Sequence, residues 1–167
     1  MKRQGFTLAE LVVVLIIIGL LSAIAIISLN SYKGIKLESG AKKVAADLLY
    51  VKNQAISMAK WYMVSFEVDP VNVYRVFECN GTIEAPAKDP GNMDKDFVVD
   101  MSTTYSGIKI ADVNISGGRK IAFQPLGTPF NNRGGTAITS TAVVTLEFSG
   151  QTRLITIAPE TGMVNVQ

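Results

Sequence analysis

Two adjoining segments decide how this chain folds: Gly5-Phe6-Thr7-Leu8-Ala9-Glu10 and, directly after it, Leu11-Val12-Val13-Val14-Leu15-Ile16-Ile17-Ile18-Gly19-Leu20-Leu21. No ionisable side chain occurs between Leu11 and Leu29. An α-helix rises about 1.5 Å per residue, so about 20 apolar residues span the ~30 Å hydrocarbon core of a bilayer. The sequence therefore predicts a single membrane-spanning helix here.

Basic residues precede this helix but do not directly follow it. Lys2 and Arg3 lie before it, and the next basic residue is Lys33. Because segments rich in Lys and Arg stay in the cytoplasm, we expect a cytoplasmic N-terminus and an exported chain from about Asn30 onward.

Glu10 is the unusual residue of the segment. A carboxylate at the centre of a membrane helix costs on the order of 2.5–3.5 kcal/mol on insertion scales, so we expect Glu10 to have a partner. The alternative is a simple helix N-terminal acid, which gains about 0.3–1 kcal/mol from the helix dipole.

The combination of Gly5, Phe6, Thr7, Leu8, Glu10 and the apolar run resembles the class III leader of type IV pilins and type II secretion pseudopilins. The resemblance implies that a prepilin peptidase cuts after Gly5 and that the new amine of Phe6 is methylated. It also implies that Thr7, Leu8 and Glu10 serve assembly, with Glu10 pairing with the terminal ammonium of a neighbouring subunit. A pair of opposite charges is easier to bury than either charge alone.

Two other interpretations of the apolar run remain open. One is an ordinary secretory signal cleaved after Ala25, at the small residues Ala23-Ile24-Ala25. The other is a permanent, uncleaved anchor. Neither requires Gly5, Phe6 or Glu10.

The composition argues against catalysis. The 167-residue chain has no histidine and a single cysteine, Cys79. Histidine is the commonest general base and metal ligand near neutral pH, so the usual zinc sites and Ser–His–Asp or Cys–His arrangements are excluded. We expect no catalytic residue, no metal and no cofactor, and we expect Cys79 to act as a small, partly buried apolar residue.

The charge balance gives no general attraction to nucleic acid. The net charge is +2, and without residues 1–5 the chain has 14 basic and 14 acidic residues. Arg119, Lys120 and Arg133 lie in glycine-rich turns that are able to bind an anion, although solvated turn cations are the simpler interpretation.

A helical period continues beyond the apolar run. The predicted helix covers residues 7–60, and its second half is amphipathic. The predicted inner face consists of Leu37, Ala41, Val44, Ala45, Leu48, Val51, Ala55 and Ala59, and the polar face includes Lys36, Lys43, Asp47, Gln54 and Lys60. We expect the inner face to pack on a sheet.

From residue 61 the pattern changes to strands. Strands are predicted at 61–68, 73–79, 97–101, 108–113, 120–123, 143–148, 153–158 and 163–166, separated by turn residues. Residues 80–96 are rich in Gly, Pro, Asp and Lys and are predicted to form an exposed loop. Trp61, Tyr62 and Phe66 are expected in the core rather than in a ligand-binding surface.

Three further segments resemble the H-type minor pseudopilin (GspH/FimT) family: the helix end at 48–56, Ala122-Phe123-Gln124-Pro125-Leu126-Gly127, and the closing segment at 155–164. The resemblance implies a structural subunit that supports protein secretion. Some FimT-type pilins bind DNA through a Gly-Arg-x-Arg motif, and this chain has Gly162-Met163-Val164-Asn165 instead, so DNA uptake is the less favoured alternative.

The sequence thus predicts an α+β pilin fold, a long N-terminal helix packed on an antiparallel β domain. The predicted parts are a leader at 1–5, a transmembrane assembly half at 6–29, an amphipathic half at 30–60 and an extracytoplasmic β domain at 61–167. The expected partners are other pilin or pseudopilin subunits, prepilin peptidase and the inner membrane. The filament type, the minor or major role, the neighbours and the cargo stay open.

Overall fold

The computed structural model describes residues 7–81 and 83–167, with the backbone alone for residues 23–31. The chain divides into two compact units, Met1–Ile35 and Lys36–Gln167. Helix α1 covers Leu8–Ser57, so it contributes to both units. The predicted long helix is therefore confirmed, and it ends three residues before the predicted position.

A residue in the left-handed conformation follows the end of helix α1. Ala59 has φ 50°, and the Lys60 N–H donates to the Ala55 carbonyl at 3.2 Å. A left-handed residue after the last turn is a common way to satisfy the final carbonyls of a helix. Ala59 was predicted on the inner face, and it is instead exposed beyond the helix end.

One face of the second part of α1 is buried. The predicted positions Leu37, Ala41, Val44, Ala45, Leu48, Val51 and Ala55 all belong to the main core. Gly40 also lies on this face, and a Cβ there would lie 2.7 Å from Cδ1 of Ile108. The glycine therefore allows a close approach to the β domain.

The β domain contains twelve strands in the described ranges and one short helix. The strands are β1 (Trp61–Glu67), β2 (Val73–Asn80), β3 (Ile83–Pro86), β4 (Lys88–Asp89), β5 (Asn92–Asp96), β6 (Val98–Asp100), β7 (Lys109–Asn114), β8 (Lys120–Phe123), β9 (Pro129–Phe130), β10 (Ala142–Phe148), β11 (Gln151–Ile157) and β12 (Val164–Val166), and α2 is Met101–Thr104.

The strands form two main sheets and a small hairpin. The first sheet has the order β3-β2-β1-β8-β9, with β6 also paired to β2, and the second has the order β12-β11-β10-β7. Strands β4 and β5 pair only with each other. All strand pairs are antiparallel, as predicted.

The prediction of a plain loop at residues 80–96 was wrong. Strands β3, β4 and β5 lie there, and β3 and β5 are exposed along their whole length. Strands that bury no face show no alternation of apolar and polar residues, so the sequence pattern could not reveal them. Their backbone hydrogen bonds hold them in place.

The predicted strand at 97–101 is shorter than expected because α2 begins at Met101. The Asp100 carboxylate accepts hydrogen bonds from the backbone N–H groups of Ser102 at 2.8 Å and Thr103 at 3.3 Å. Together with the bond from the Ser102 hydroxyl, which is the largest cause, these bonds lower the pKa of Asp100. Asp100 is thus a helix N-cap that strand periodicity does not indicate.

The two sheets are linked through the turn between β1 and β2. The Asn72 side chain accepts from the Ile110 N–H at 2.9 Å and donates to the carboxylate of Asp69 at 3.2 Å. The Asp69 N–H donates to the Ile110 carbonyl at 3.0 Å. Asn72 is buried, so its amide satisfies backbone groups that would otherwise be left unpaired.

A second apolar cluster lies on the face of the first sheet that points away from the main core. Met63, Cys79 and Ala122 are buried there, and Trp61, Phe77 and Phe130 pack around them. We call these six residues the outer-face cluster. The expectation of core positions is confirmed for Tyr62 and Phe66 in the main core, and Trp61 stacks edge-on against Phe130 with ring centres 5.0 Å apart.

Asp47 departs from the prediction. It was expected on the polar face, but it is only 7% exposed. Its carboxylate accepts from the Tyr74 hydroxyl at 2.5 Å and from the Lys43 ammonium at 2.6 and 2.7 Å. Burial, with the negative charge of Asp47 beside it, raises the pKa of Tyr74 far above its usual value, so Tyr74 stays a donor.

Tyr74→Phe should lower the free energy of unfolding by about 1.5–3 kcal/mol, because it removes a hydrogen bond to a charged, buried acceptor. Urea unfolding of the full chain in detergent, followed by the fluorescence of the single tryptophan, Trp61, measures the change. Tyr62→Phe is the matched control, since that hydroxyl bonds the more exposed Glu78 at 3.3 Å. An equal loss in both variants would contradict a special contribution from Asp47.

Candidate assembly site

The predicted processing site lies outside the described residues. Gly5, where cleavage is expected, and Phe6, where methylation is expected, both precede residue 7, at which the description begins. Thr7, Leu8 and Glu10 are described. Helix α1 begins at Leu8, and Thr7 directly precedes it.

Thr7 and Glu10 bond to each other reciprocally. The Thr7 N–H and hydroxyl donate to Oε2 of Glu10 at 2.8 and 2.9 Å, and the Glu10 N–H donates to the Thr7 hydroxyl oxygen at 3.3 Å. This arrangement is a capping box, which satisfies otherwise unpaired N–H groups at a helix start. The Thr-x-x-Glu spacing before an apolar run indicates such a cap, and our sequence analysis missed it.

The surface around Glu10 is apolar and exposed. Leu8 is 83% exposed, and Glu10 shares its surroundings with Ala9, Val13 and Val14. The large side chains from Leu11 to Leu21 are between 45% and 64% exposed. Soluble proteins rarely expose so long an apolar surface, so we expect another protein or a membrane to cover it.

No helix among the described residues combines the length and the apolar character that a membrane span requires. In residues 7–81 and 83–167, no three His, Cys, Asp or Glu side chains group so as to hold a metal ion.

Comparison with known proteins gives two matches that fit this geometry. Residues 1–26 match the prokaryotic N-terminal methylation motif. The fold matches the type IV minor pilin FimU of Pseudomonas aeruginosa in two crystal forms. One has a TM-score of 0.51 and covers 78% of this chain and 92% of FimU, and the other has a TM-score of 0.50 and covers 81% and 89%.

The N-terminus thus matches a methylation motif, and the fold is similar to that of a type IV minor pilin. The sequence identity to FimU is only 14%, and no curated protein matches the sequence. The pilin signal implies processing by prepilin peptidase and assembly with other pilins.

The two C-terminal segments that resemble the H-type family contact each other in the structure. The Lys52 ammonium donates to the Thr161 carbonyl at 2.7 Å. A Cβ on Gly162 would lie 2.8 Å from the Gly127 carbonyl oxygen, and a Cβ on Gly127 would lie 2.9 Å from Cδ1 of Ile56. The glycines therefore let two turns and the end of helix α1 pack closely.

Gly162→Ala should destabilise the protein by about 2–4 kcal/mol. Gly162 has φ 60°, which costs an L-residue about 1 kcal/mol, and the added Cβ overlaps backbone, a kind of overpacking that costs about 1–3 kcal/mol. Gly150→Ala is the control, because it has φ 78° with open space around it and should cost only the first amount. Urea unfolding of both variants measures the difference, and equal losses would refute the packing role.

The three basic residues that were predicted as anion ligands lie on two segments of the β domain. Arg119 is exposed in the turn between β7 and β8, Lys120 is exposed at the start of β8, and Arg133 is half-buried in the loop after β9. The positive charges of Arg133 and Lys120 both favour a lower pKa of the Cys79 thiol. Lys120 lies two residues before Ala122 of the outer-face cluster, Arg119 directly precedes it in sequence, and Arg133 follows Phe130 of the same cluster by three residues.

Cys79 is buried, which confirms the expectation of a small apolar residue. Burial raises the pKa of its thiol to about 11, and the negative charge of Glu84 acts in the same direction. The thiol is therefore protonated near neutral pH and is not activated as a nucleophile.

Proposed function

We propose that this pilin-like protein is a minor, non-catalytic subunit of a type II secretion pseudopilus or a type IV pilus. The observation that carries the proposal is the capped acid at Glu10, at the head of a long exposed apolar helix and inside a methylation motif. An apolar helix with one acid near its start suits lateral packing among identical or related helices.

The parts of the chain have separate roles in this proposal. Residues 1–5 are the leader that prepilin peptidase removes, and Phe6 becomes the methylated N-terminus. Residues 6–29 anchor the precursor in the inner membrane and later pack in the filament. Residues 30–60 carry the β domain of residues 61–167 on the extracytoplasmic side.

We infer a place in the H-type (GspH/FimT) group, with a role in protein secretion. The contact between Gly127 and the turn at Gly162 supports this, because it gives the two resembling segments a shared structural purpose. The segment from Gly162 to Asn165 has no arginine, so it lacks the cations that DNA-binding relatives carry there.

Glu10 has two distinguishable roles. Its described hydrogen bonds come from Thr7 and are made to Oε2, so the described part of the chain supplies neutral donors and no cation. A local cap needs only a good acceptor, and Gln serves as well as Glu at this position. Pairing with the terminal ammonium of a neighbouring subunit needs the negative charge.

Glu10→Gln should be processed normally but should enter filaments about tenfold less than the natural chain, as should Glu10→Ala, because both lose the charge. Quantitative immunoblots of purified filaments and of whole membranes measure incorporation. Near-normal incorporation of Glu10→Gln beside a defective Glu10→Ala would assign Glu10 to the cap alone.

Thr7→Val is the matched variant, since it removes the hydroxyl from the cap and keeps the charge of Glu10. It should reduce incorporation much less than Glu10→Gln does. A greater defect in Thr7→Val would reverse the assignment.

The N-terminal peptide of the protein recovered from its native membrane should begin with N-methylated Phe6. Intact-mass measurement and sequencing of that peptide test this directly. A chain that begins at Ile26 would instead be a secreted domain, and a chain that begins at Met1 would be an unprocessed anchor. Either result would overturn the filament proposal.

A further inference from the structure

Three exposed apolar side chains surround the contact between the turns at Gly127 and Gly162. Leu126 is 84% exposed, Met163 is 56% exposed and Ile56 is 47% exposed. A Cβ on Gly127 would lie 2.9 Å from Cδ1 of Ile56, and one on Gly162 would lie 2.8 Å from the Gly127 carbonyl oxygen, so the three segments adjoin. We call Ile56, Leu126 and Met163 the Leu126 knob.

Backbone hydrogen bonds fix the turn that carries Leu126. The Gly127 N–H donates to the Gln124 carbonyl at 2.8 Å, and the Gln124 N–H donates to the Thr128 carbonyl at 3.2 Å. Gly127 has φ 83°, a conformation that glycine adopts without strain. Single exposed apolar residues are common, whereas an exposed leucine on a fixed turn beside two other exposed apolar side chains indicates a contact with another protein.

A groove of about 170 Å³ lies beside the end of helix α1. Tyr50, Gln54 and Met58 line it from the end of the helix, Val76 lines it from β2, and Met93 lines it from β5. Met58 and Met93 are exposed, and methionine side chains adapt readily to the shape of what they contact. A cavity of roughly 150 Å³ holds a benzene molecule, so this groove has room for one leucine side chain.

The two charged side chains that line the groove, Glu78 and Lys88, already have partners. Glu78 is paired with Lys60 at 2.5 Å, and Lys88 is paired with Asp96 at 2.8 Å. A charged occupant would find no unpaired charge of opposite sign on these side chains. The groove therefore favours an uncharged, apolar side chain.

The knob and the groove lie on opposite sides of the buried face of α1. Each residue advances about 100° around an α-helix. Tyr50 and Gln54 therefore lie to one side of the buried residues Val51 and Ala55, and Ile56 lies to the other side. A contact between two different surfaces of one kind of subunit is heterologous, and this is the type of contact that builds helical filaments.

We propose that the Leu126 knob of one copy of this chain inserts into the groove of an adjacent copy, with Leu126 between Met58 and Met93. The knob has no charged side chain, and the charges that line the groove are paired. A fixed turn also loses little conformational freedom on binding. The inference rests on the proposed function, because it assumes copies side by side in a filament, but it does not use the minor role.

A pair of cysteines tests the contact in cells that assemble the filament. One copy carries Met163→Cys, at the edge of the knob, and a second copy with a different tag carries Met93→Cys. Both positions are exposed, and Cys79 is buried and stays unreactive. A short bismaleimide added to isolated filaments should give a crosslinked dimer that contains both tags.

Val71→Cys replaces Met163→Cys in the matched control pair, since Val71 is also an exposed apolar residue, on the turn between β1 and β2. This pair should give about tenfold less of the two-tag dimer. Equal yields from both pairs, dimers formed mainly between copies with the same tag, or no dimer in filaments that contain both copies would overturn the proposal.

Leu126→Asp, added to the copy that carries Met163→Cys, should reduce the two-tag dimer about tenfold, because it places an unpaired charge in an apolar groove. It should leave the melting temperature of the full chain in detergent unchanged, since the side chain is exposed. Val71→Asp is the matched control and should change neither quantity. An equal loss of dimer in both variants, or an unchanged yield in Leu126→Asp, would contradict the insertion of Leu126.

The failure of the filament itself is measured separately. Immunoblots of isolated filaments record how much of each copy is incorporated before crosslinking. A natural chain that is absent from filaments would contradict the proposed function and this contact together. Copies that are incorporated but give no two-tag dimer would contradict this contact alone.

Discussion

The burial of one face of helix α1, from Leu37 to Ala55, is the constraint on which the β domain depends. Both main sheets contribute side chains to the core that this face completes. Neither sheet would have an apolar partner of comparable length without it. The close approach at Gly40 and the contact of Lys52 with the Thr161 carbonyl fix the β domain along this part of the helix.

Two carboxylates on helix α1 differ in the kind of partner that the chain gives them. Asp47 lies in the core and has a cation of its own chain, Lys43, together with the Tyr74 hydroxyl. Glu10 begins an apolar surface and has neutral donors from Thr7 within the described residues. The negative charge of Asp47 is therefore balanced by a cation of the same folded chain. Within the described residues no cation pairs with the second acid, and the proposed assembly among subunits would supply one.

The sequence predicted the helix and strands that bury an apolar face. It missed the strands that only backbone hydrogen bonds hold in place. The inner face of α1 and the strand from Lys120 to Phe123 follow apolar periodicity, because each packs on a core. Strands β3 and β5 are exposed on both faces, so composition gave a loop where hairpins form. Asp47 was misplaced because its burial depends on Tyr74, which is distant in sequence. The methylation motif at residues 1–26 was recognisable because it is a local sequence pattern that needs no tertiary contact.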